Sequence, residues 1–230
     1  MLYTLRAVRD NIRNREGKRV FYLGKGDQLT SEARDYLSRE RIEILPAQQA
    51  RPERYRLLSG GFLEEKPEHM THLHGDVLVP KTHPRIAFRG AVDVLEAELL
   101  CCGASLPGLI QELEEILHLA RTVIRCEVLG EPMPRETLCG MTLEEIRSHS
   151  HRPQEFYGKP HFMPEVSDGE TVLALNRVRS IARVAELKGA EAFRDENGGC
   201  TRPDILRALN RISSMLYILM LREKAKLSKG

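Results

Sequence analysis

Four stretches in the last two-thirds of the chain repeat apolar residues at the three- and four-residue spacing of an amphipathic helix. They cover roughly residues 84–102, 105–129, 167–193 and 201–227. Helices of this length that are joined by short connections bury their apolar faces by packing side by side. The sequence therefore predicts a mainly α protein built on an antiparallel helical bundle.

Several residues have the positions of helix start signals. Pro84 stands in a first helical turn, where the missing N–H of proline costs little. Thr142 and Glu145 have the spacing of a capping box, which predicts a further short helix. Ser167 and Glu170 repeat that spacing before the third long helix. We therefore expect these helices to begin at the residues that carry the signals.

The beginning of the chain follows a different pattern. Two apolar runs, at residues 19–23 and 41–45, flank a helix that Thr30 would cap, which predicts a small N-terminal α/β unit. Prolines and glycines among mixed charges then occupy residues 46–68 and are typical of a linker. We place the N-terminal unit and its linker at residues 1–65 and the helical-bundle domain at residues 66–230.

The first residues of the N-terminal unit form an amphipathic pattern of their own. Residues 4–15 carry Leu5, Val8 and Ile12 on one helical face and arginines on the other. A terminal helix of this kind can dock on a partner, in which case deleting residues 1–17 would leave activity largely intact. The alternative is a helix that packs on its own subunit.

Charge and composition limit the kinds of partner. The 230 residues include 35 basic and 33 acidic side chains, so the formal net charge is only +2, which argues against nucleic acid or a membrane surface as a partner. The longest apolar run, near residues 212–221, is shorter than the roughly 20 residues of a membrane span. Five cysteines without CxxC spacing indicate a reducing compartment. We expect a cytoplasmic protein.

Three helices carry polar stripes beside their apolar faces. Members of each stripe lie three or four residues apart: Arg85, Arg89, Asp93 and Glu96 in the first, Arg179, Arg183 and Glu186 in the second, and Asn210, Ser213 and Tyr217 in the third. Such stripes are ordinarily solvated faces with pairs of opposite charge. Stripes that face one another would instead form an anion site, and a buried Asn would require partners.

Three ordered segments carry a resemblance to a known family. They are residues 81–95 (KTHPRIAFRGAVDVL), 179–186 (RSIARVAE) and 209–213 (LNRIS). In order and separation they resemble motifs of the corrinoid adenosyltransferases of the propanediol-utilization type. Residues 127–132 (EVLGEP) and 202–214 (RPDILRALNRISS) are more similar to the ethanolamine-utilization type. The resemblance covers about residues 66–225, and the preceding α/β unit is also similar to that branch.

The resemblance implies an enzyme that transfers the 5′-deoxyadenosyl group of ATP to cobalt(I) of a corrinoid such as cobalamin, with Mg²⁺ as cofactor. Cobalt(I) is itself the nucleophile, so the protein has to orient C5′ of ATP and neutralise the phosphate leaving group. The family also implies a homotrimer with ATP bound between subunits. Its product would serve a B12-dependent lyase such as ethanolamine ammonia-lyase, and a corrinoid reductase or a microcompartment shell are further expected partners.

The family motifs imply roles for individual residues. The residues implied in ATP binding are Lys81, Arg179, Arg183, Glu186, Asn210 and Arg211. Arg183 is also implied in catalysis, and Asp93 would position an arginine of a neighbouring subunit. Phe162 matches the aromatic that closes the lower face of the corrin, and Met163 follows it in the same corrinoid contact. The alternative for Phe162 is ordinary core packing.

The sequence predicts no resident metal site. Residues 46–70 lack the Cys-Cys-x-x-Cys motif of some ethanolamine-type members, and Cys101 and Cys102 are interpreted as helix packing residues. The only other metal-like group in the sequence is His69, His72, His74 and His83. Histidines in such loops are usually solvated or capping.

Two other functions remain open at this point. A noncatalytic corrinoid- or nucleotide-binding partner, such as a reactivation or regulatory protein, would use the same bundle. A structural interaction module would leave the polar stripes solvated. Formation of adenosylcobalamin from ATP and reduced cobalamin separates the enzyme from both.

Overall fold

The computed structural model describes residues 1–15, 17–49, 55–134 and 137–227. The chain divides into two compact units, with the division between His83 and Pro84. This division comes later in the chain than the boundary at residue 65 that linker composition predicts. The reason is that the segments up to Pro80 are strands of the N-terminal sheet.

The N-terminal unit combines two short helices with paired strands. Its helices are α1 (Leu5–Asp10) and α2 (Ser31–Arg39), and its strands are β1 (Leu2–Tyr3), β2 (Arg13–Arg15), β3 (Lys18–Leu23), β4 (Gln28–Leu29), β5 (Glu43–Pro46), β6 (Tyr55–Leu57), β7 (Phe62–Leu63), β8 (Met70–His74) and β9 (Val77–Pro80). Strand β1 pairs with β4, and the other seven form one sheet in the order β5-β3-β2-β7-β6-β9-β8. Strands β3 and β5 are parallel and joined through α2, which Thr30 caps. The predicted strand, helix and strand are therefore confirmed, within a larger sheet.

The prediction of a helix over residues 4–15 is wrong in its extent. Helix α1 ends at Asp10, and Arg13–Arg15 is a strand that pairs with both β3 and β7. Val8 is fully buried in a small core with Phe21 and Leu37. The segment thus packs on its own unit, and deleting residues 1–17 would remove a central strand of the sheet, which contradicts the expectation of a dispensable docking helix.

The predicted linker contains sheet strands where the structure describes it. Strands β6 and β7 form an antiparallel hairpin across Gly60 and Gly61, both of which have positive φ. A Cβ on Gly61 would lie 2.6 Å from the carbonyl oxygen of Ile12, so this position accepts only glycine. The glycines therefore mark a tight turn. Residues 50–54 of the predicted linker, with Pro52, lie outside the described residues.

The C-terminal unit is the predicted helical bundle. Its helices are α3 (Pro84–Ser105), α4 (Ile110–Leu129), α5 (Leu143–His151), α6 (Pro153–Tyr157), α7 (Gly169–Ala192) and α8 (Pro203–Leu227), with a short hairpin of β10 (Thr137–Leu138) and β11 (Met141–Thr142) before α5. One 3-10 turn, Pro107–Leu109, joins α3 to α4. The capping box of Thr142 and Glu145 is present at the start of α5. The mainly α fold with a small N-terminal α/β unit is therefore confirmed.

Helix α8 lies at the centre of the bundle, since it packs against α7, α5, α4 and α6. Five of its apolar residues are at most 1% exposed: Ile205, Leu209, Ile212, Leu216 and Leu219. Where α7 crosses this core, Gly189 allows close packing, because a Cβ there would lie only 3.0 Å from Leu206 and 3.2 Å from Phe88. The bundle core thus brings the polar stripes of α7 and α8 to one region.

The capping box predicted from Ser167 and Glu170 is wrong. A 3-10 turn, Val166–Asp168, precedes α7, and the reciprocal pair consists of Glu165 and Asp168. Helix α7 begins only at Gly169, so Ser167 lies before the helix, where its hydroxyl donates to the Glu165 carboxylate. The loop that precedes α7 is thereby fixed by its acidic side chains.

A buried ion pair network ties α3 to α4. The Glu127 side chain is 0% exposed and accepts hydrogen bonds from Arg85 Nε at 2.5 Å and Arg89 Nε at 2.7 Å. Arg202 donates to the carbonyl of Cys126 and pairs with Asp204, whose pKa this pairing lowers to about 2. Arg85 and Arg89 of the first polar stripe therefore make a buried contact between two helices. They form neither a solvated face nor an open anion site.

We expect Glu127→Gln to destabilise the protein by about 3 kcal/mol, because two partly buried arginines would lose their compensating charge. Urea denaturation gives this value. The matched control is Glu131→Gln, which removes the exposed pair with Arg125 at 3.7 Å and should change stability by less than about 1 kcal/mol. Equal effects of the two substitutions would contradict the structural role of Glu127.

Candidate functional site

An open cavity of about 390 Å³ lies on the C-terminal unit between α7, α8 and the segment that precedes α7. The lining residues comprise a basic group, a polar group and an apolar group. They are Arg179, Arg183, His151, His161, Ser150, Asn210, Ser213, Ser214, Tyr217, Phe162, Met163, Pro164 and Met220. Two of the three predicted polar stripes therefore face one another here, together with the predicted aromatic segment.

The polar stripe of α8 is connected to α7 by the Asn210 amide. Its Nδ2 donates to Glu186 Oε1 at 2.9 Å, and its Oδ1 accepts from Arg211 Nη1 at 2.5 Å. The two contacts fix which end of the amide points each way, because a guanidinium only donates and a carboxylate only accepts. Glu186 and Asn210 are thereby oriented before any ligand arrives.

Arg211 lies beneath the cavity and does not line it. Its side chain is buried at 7% exposure, and burial lowers its pKa. Its Nε makes no hydrogen bond within the described structure. In this structure Arg211 contacts Asn210 and supports the site from below, and its implied contact with ATP stays a prediction.

Arg179 and Arg183 stand one helical turn apart on α7 and both line the cavity. Arg179 is half-buried and donates from Nε and Nη2 to Asn176 Oδ1, at 3.1 and 2.8 Å. Burial, with the neighbouring positive charge of Arg183, lowers the pKa of Arg179. Arg183 is exposed at the cavity edge. Two like charges at this spacing repel each other, so the pair favours an anion.

Phe162 forms an apolar wall of the cavity. Its ring stacks on Tyr217 with centroids 5.7 Å apart, and its backbone N–H donates to the Tyr217 hydroxyl at 3.2 Å. His161 lies between two polar groups, with its Nε2 3.2 Å from the His151 carbonyl oxygen and its Nδ1 3.3 Å from the Tyr217 hydroxyl. Met163 lies at the rim and is 84% exposed. Phe162 thus both contacts the core and faces the cavity.

The loop behind Phe162 is held by an ion pair. Lys224 Nζ donates to Asp168 Oδ1 at 2.5 Å, and the same ammonium lies 4.5 Å from the Phe162 ring centroid. Asp168 Oδ2 also accepts from the backbone N–H of Glu165 at 2.9 Å. These bonds lower the pKa of Asp168, the lysine contact being the largest cause. The acidic turn is therefore anchored to the end of α8.

Two of the implied site residues lie elsewhere. Asp93 is exposed on α3 and does not line the cavity. Lys81 belongs to the N-terminal unit, where its ammonium pairs with Glu68 at 2.8 Å. The roles proposed for both residues therefore depend on contacts beyond those of the bundle itself.

The histidines near the start of the family resemblance lie in the N-terminal sheet and its turns. His72 and His74 belong to β8, and His72 Nδ1 lies 3.0 Å from the Gly75 carbonyl. Among the described residues, no three His, Cys, Asp or Glu side chains come together as a metal-binding group. In the same part of the chain, no helix has the length and apolar character that a membrane crossing requires.

The sequence analysis did not identify Lys224 or Asp168. Lys224 lies seven residues after Tyr217, which is two helical turns on the same face of α8. That spacing could have extended the polar stripe to Lys224. The sequence analysis missed Asp168 because it assigned the capping box to Ser167 and Glu170, whereas the reciprocal pair is Glu165 and Asp168.

We expect Asn210→Ala to reduce the free energy of unfolding by about 2 kcal/mol, since buried Arg211 would lose an acceptor and Glu186 a donor. Urea denaturation measures this change. The control Asn197→Ala, in an exposed loop, should stay within about 0.5 kcal/mol of the parent. A tolerated Asn210→Ala would show that the amide does not join the two helices.

Comparison with known proteins identifies relatives over most of the chain. Residues 62–223 match the model of the cobalamin adenosyltransferase family. The corrinoid adenosyltransferase EutT of Salmonella typhimurium is 33% identical over 163 residues, which are 70% of this chain and 61% of that protein. EutT of Escherichia coli K12 is 33% identical over 158 residues, 68% of this chain and 59% of that protein.

The chain therefore spans about three-fifths of the length of these curated relatives. A PduO-type ATP:corrinoid adenosyltransferase variant from Lactobacillus reuteri, solved with cobalamin and ATP, is 20% identical with a TM-score of 0.49 and covers 66% of this chain and 86% of that one. The family match includes α3, α7, most of α8 and every residue of the cavity. This chain belongs to the cobalamin adenosyltransferase family.

Proposed function

We propose that this protein transfers the 5′-deoxyadenosyl group of ATP to cobalt(I) of a corrinoid and so forms adenosylcobalamin. The observation that carries the proposal is that one cavity has both a polar wall and an apolar wall. Arg179, Arg183 and Asn210 form its polar side, and Phe162 with Tyr217 forms its apolar side. A polyphosphate nucleotide and a flat macrocycle require these two surfaces respectively.

The arginines suit the charge that develops during the transfer. Cobalt(I) attacks C5′ with its electron pair, the cobalt–carbon bond forms, and the bond from C5′ to the phosphate oxygen breaks, leaving a polyphosphate anion. An arginine that meets this anion stabilises the transition state more than the bound substrate. Arg183, exposed at the cavity edge, is the proposed catalytic arginine, and Arg179 is its partner in binding the phosphates.

Glu186 and Asn210 are the proposed contacts for the nucleotide and its Mg²⁺. Mg²⁺ prefers oxygen ligands and binds through one or two carboxylates together with substrate phosphates. Glu186 supplies one carboxylate beside the cavity, already oriented by Asn210 at 2.9 Å, so this donor set fits the ion. Mg²⁺ would neutralise part of the phosphate charge, while Asn210 retains an N–H for the nucleotide.

Phe162 is the proposed wall against the lower face of the corrin. An axial ligand makes cobalt(II) harder to reduce, because the added electron would enter an orbital that the ligand raises. An apolar ring in that position excludes water and the base of the cobalamin itself. Met163, at the rim beside it, is proposed to contact the corrinoid.

The remaining assignments extend beyond the described bundle. We propose a homotrimer in which Lys81 contacts the nucleotide and Asp93 orients an arginine of a neighbouring subunit. The EutT relatives support a place in ethanolamine utilization, with an ammonia-lyase as recipient of the product, a reductase as source of cobalt(I), and a cytoplasmic or microcompartment location.

The test of the proposed function is direct. The purified protein receives ATP, Mg²⁺ and chemically reduced cob(I)alamin, and the absorbance change that marks adenosylcobalamin is followed. Catalytic formation of product is the expected result. Tight binding of ATP and cobalamin without product would instead indicate a noncatalytic partner protein.

We expect Arg183→Ala to lower kcat by about a hundredfold while the protein remains folded, because the arginine acts mainly on the developing anion. Steady-state kinetics with cob(I)alamin, alongside circular dichroism, measures both properties. The control Lys188→Ala changes an exposed cation on the same helix and should leave kcat unaltered. Near-normal turnover in folded Arg183→Ala would remove Arg183 from the mechanism.

We expect Phe162→Ala to slow adenosylation that starts from cobalt(II) by about tenfold or more, because a ligand could reach the lower face. The rate with ready-made cobalt(I) should fall less, and ATP affinity by calorimetry should barely change. Electron paramagnetic resonance of bound cob(II)alamin reports the number of axial ligands. The same four-coordinate signal in the variant as in the parent would mean that Phe162 is only a packing residue.

A further inference from the structure

We propose that Lys224 is a positioning residue for the Phe162 wall, acting through its ion pair with Asp168 and its contact with the aromatic ring. This inference rests on the proposed function, since it concerns how the lower-face wall is kept in place. It adds to that function a residue at the far end of α8, outside the three motif segments that carry the family resemblance.

Phe162 lies in a segment without regular secondary structure, between the end of α6 and the turn before α7. A wall in such a segment keeps its position only through side-chain contacts. Tyr217 supplies two of them, the hydrogen bond from the Phe162 backbone N–H at 3.2 Å and the stacked ring at 5.7 Å. These contacts orient the Phe162 backbone and one side of its ring.

Lys224 supplies the second anchor. Its ammonium lies 4.5 Å from the ring centroid, within the range in which a cation is attracted to an aromatic face. The same ammonium donates to Asp168, whose side chain is only 8% exposed. Asp168 in turn holds the backbone of Glu165. The chain from Phe162 to Asp168 is thus fixed at both ends by one helix.

Both anchors of the Phe162 wall belong to helix α8, which also carries the proposed nucleotide contact. Tyr217 and Lys224 lie two turns apart on α8, and Asn210 lies two turns before Tyr217 on the same helix. Helix α8 therefore connects the proposed nucleotide contact, the aromatic wall and the anchor of the wall. A change at Lys224 should disturb the wall while the nucleotide contacts remain in place.

A purely structural role for the Lys224–Asp168 pair is the competing explanation. The pair joins the end of α8 to the start of α7, and such a contact could stabilise the bundle without any effect on the cavity. The two roles differ in what they change. A structural pair alters the free energy of unfolding, whereas a positioning pair also alters the coordination of bound cobalt(II) in the folded protein.

The experiment compares Lys224→Ala with Lys224→Arg and with Lys226→Ala. Arginine retains a cation for both Asp168 and the ring. Lys226 is an exposed lysine two residues further on, paired with Glu223, and serves as the matched control. Each folded variant binds ATP and cob(II)alamin, and electron paramagnetic resonance gives the four-coordinate fraction. Rates are then measured from cobalt(II) with a reductant and from ready-made cobalt(I).

We expect Lys224→Ala to lower the four-coordinate fraction and the rate from cobalt(II) by about threefold to tenfold. The rate from cobalt(I) should change by less than about twofold, and ATP affinity should stay the same. Lys224→Arg should recover most of the signal, and Lys226→Ala should match the parent.

An unchanged four-coordinate fraction in folded Lys224→Ala would overturn the inference, as would equal losses from cobalt(II) and cobalt(I). A parent protein that makes adenosylcobalamin without any four-coordinate intermediate would also overturn it and leave the proposed function intact. Failure of the parent to make product from cobalt(I) and ATP would instead reject the proposed function itself.

Discussion

The burial of helix α8 is the constraint on which the rest of the bundle depends. The helix packs against four others, so each polar side chain on its buried faces must find a partner inside the protein or face the cavity. Asn210 meets Glu186, Tyr217 meets Phe162, and Lys224 meets Asp168. Each partner comes from α7 or from the loop before it. The polar groups of one buried helix thus determine the geometry of the whole cavity.

This origin explains how the protein's own side chains can order the site. The Asn210 amide is oriented by a donor on one side and an acceptor on the other, and buried Arg211 supplies the donor. Such a series of hydrogen bonds stabilises the site only when its geometry is good, because a buried polar group that lacks its partner costs free energy. The reaction proposed for the cavity calls for the same property. When cobalt is the nucleophile, the protein contributes mainly by orienting and excluding groups.

The sequence predicted the parts of the fold that depend on local signals. Apolar periodicity located α3, α4, α7 and α8, and the capping box at Thr142 is present. Prediction from the sequence failed where a partner distant in the chain decides the conformation. Residues 13–15 have a helical pattern but join a sheet, since β3 and β7 offer them backbone partners that no local pattern reveals. Gly60 and Gly61 were assigned to a linker because composition cannot separate a hairpin turn from an extended connection.

The same distinction holds within the site. Stripe spacing found Arg179, Arg183 and Asn210, which line the cavity. The family motif added Arg211, which differs from Asn210 by one position and is buried. Residues that are adjacent on a helix face directions about 100° apart, so a motif match at both positions implies two different tasks. The sequence analysis missed Lys224 because its partners, Phe162 and Asp168, are distant in sequence.

In the reaction we propose, Arg179 and Arg183 would meet the negative charge that grows on the polyphosphate leaving group. Two guanidinium groups one turn apart on the same helix repel, and Asn176 offsets this only for Arg179, through the neutral oxygen of its amide. A carboxylate in that position would have neutralised the arginine and weakened its attraction for an incoming anion. An amide holds the guanidinium in place and leaves its charge available. In the proposed reaction, the attraction between the arginines and the leaving group would therefore grow as the leaving group becomes more negative, which is the condition for an interaction to accelerate a reaction.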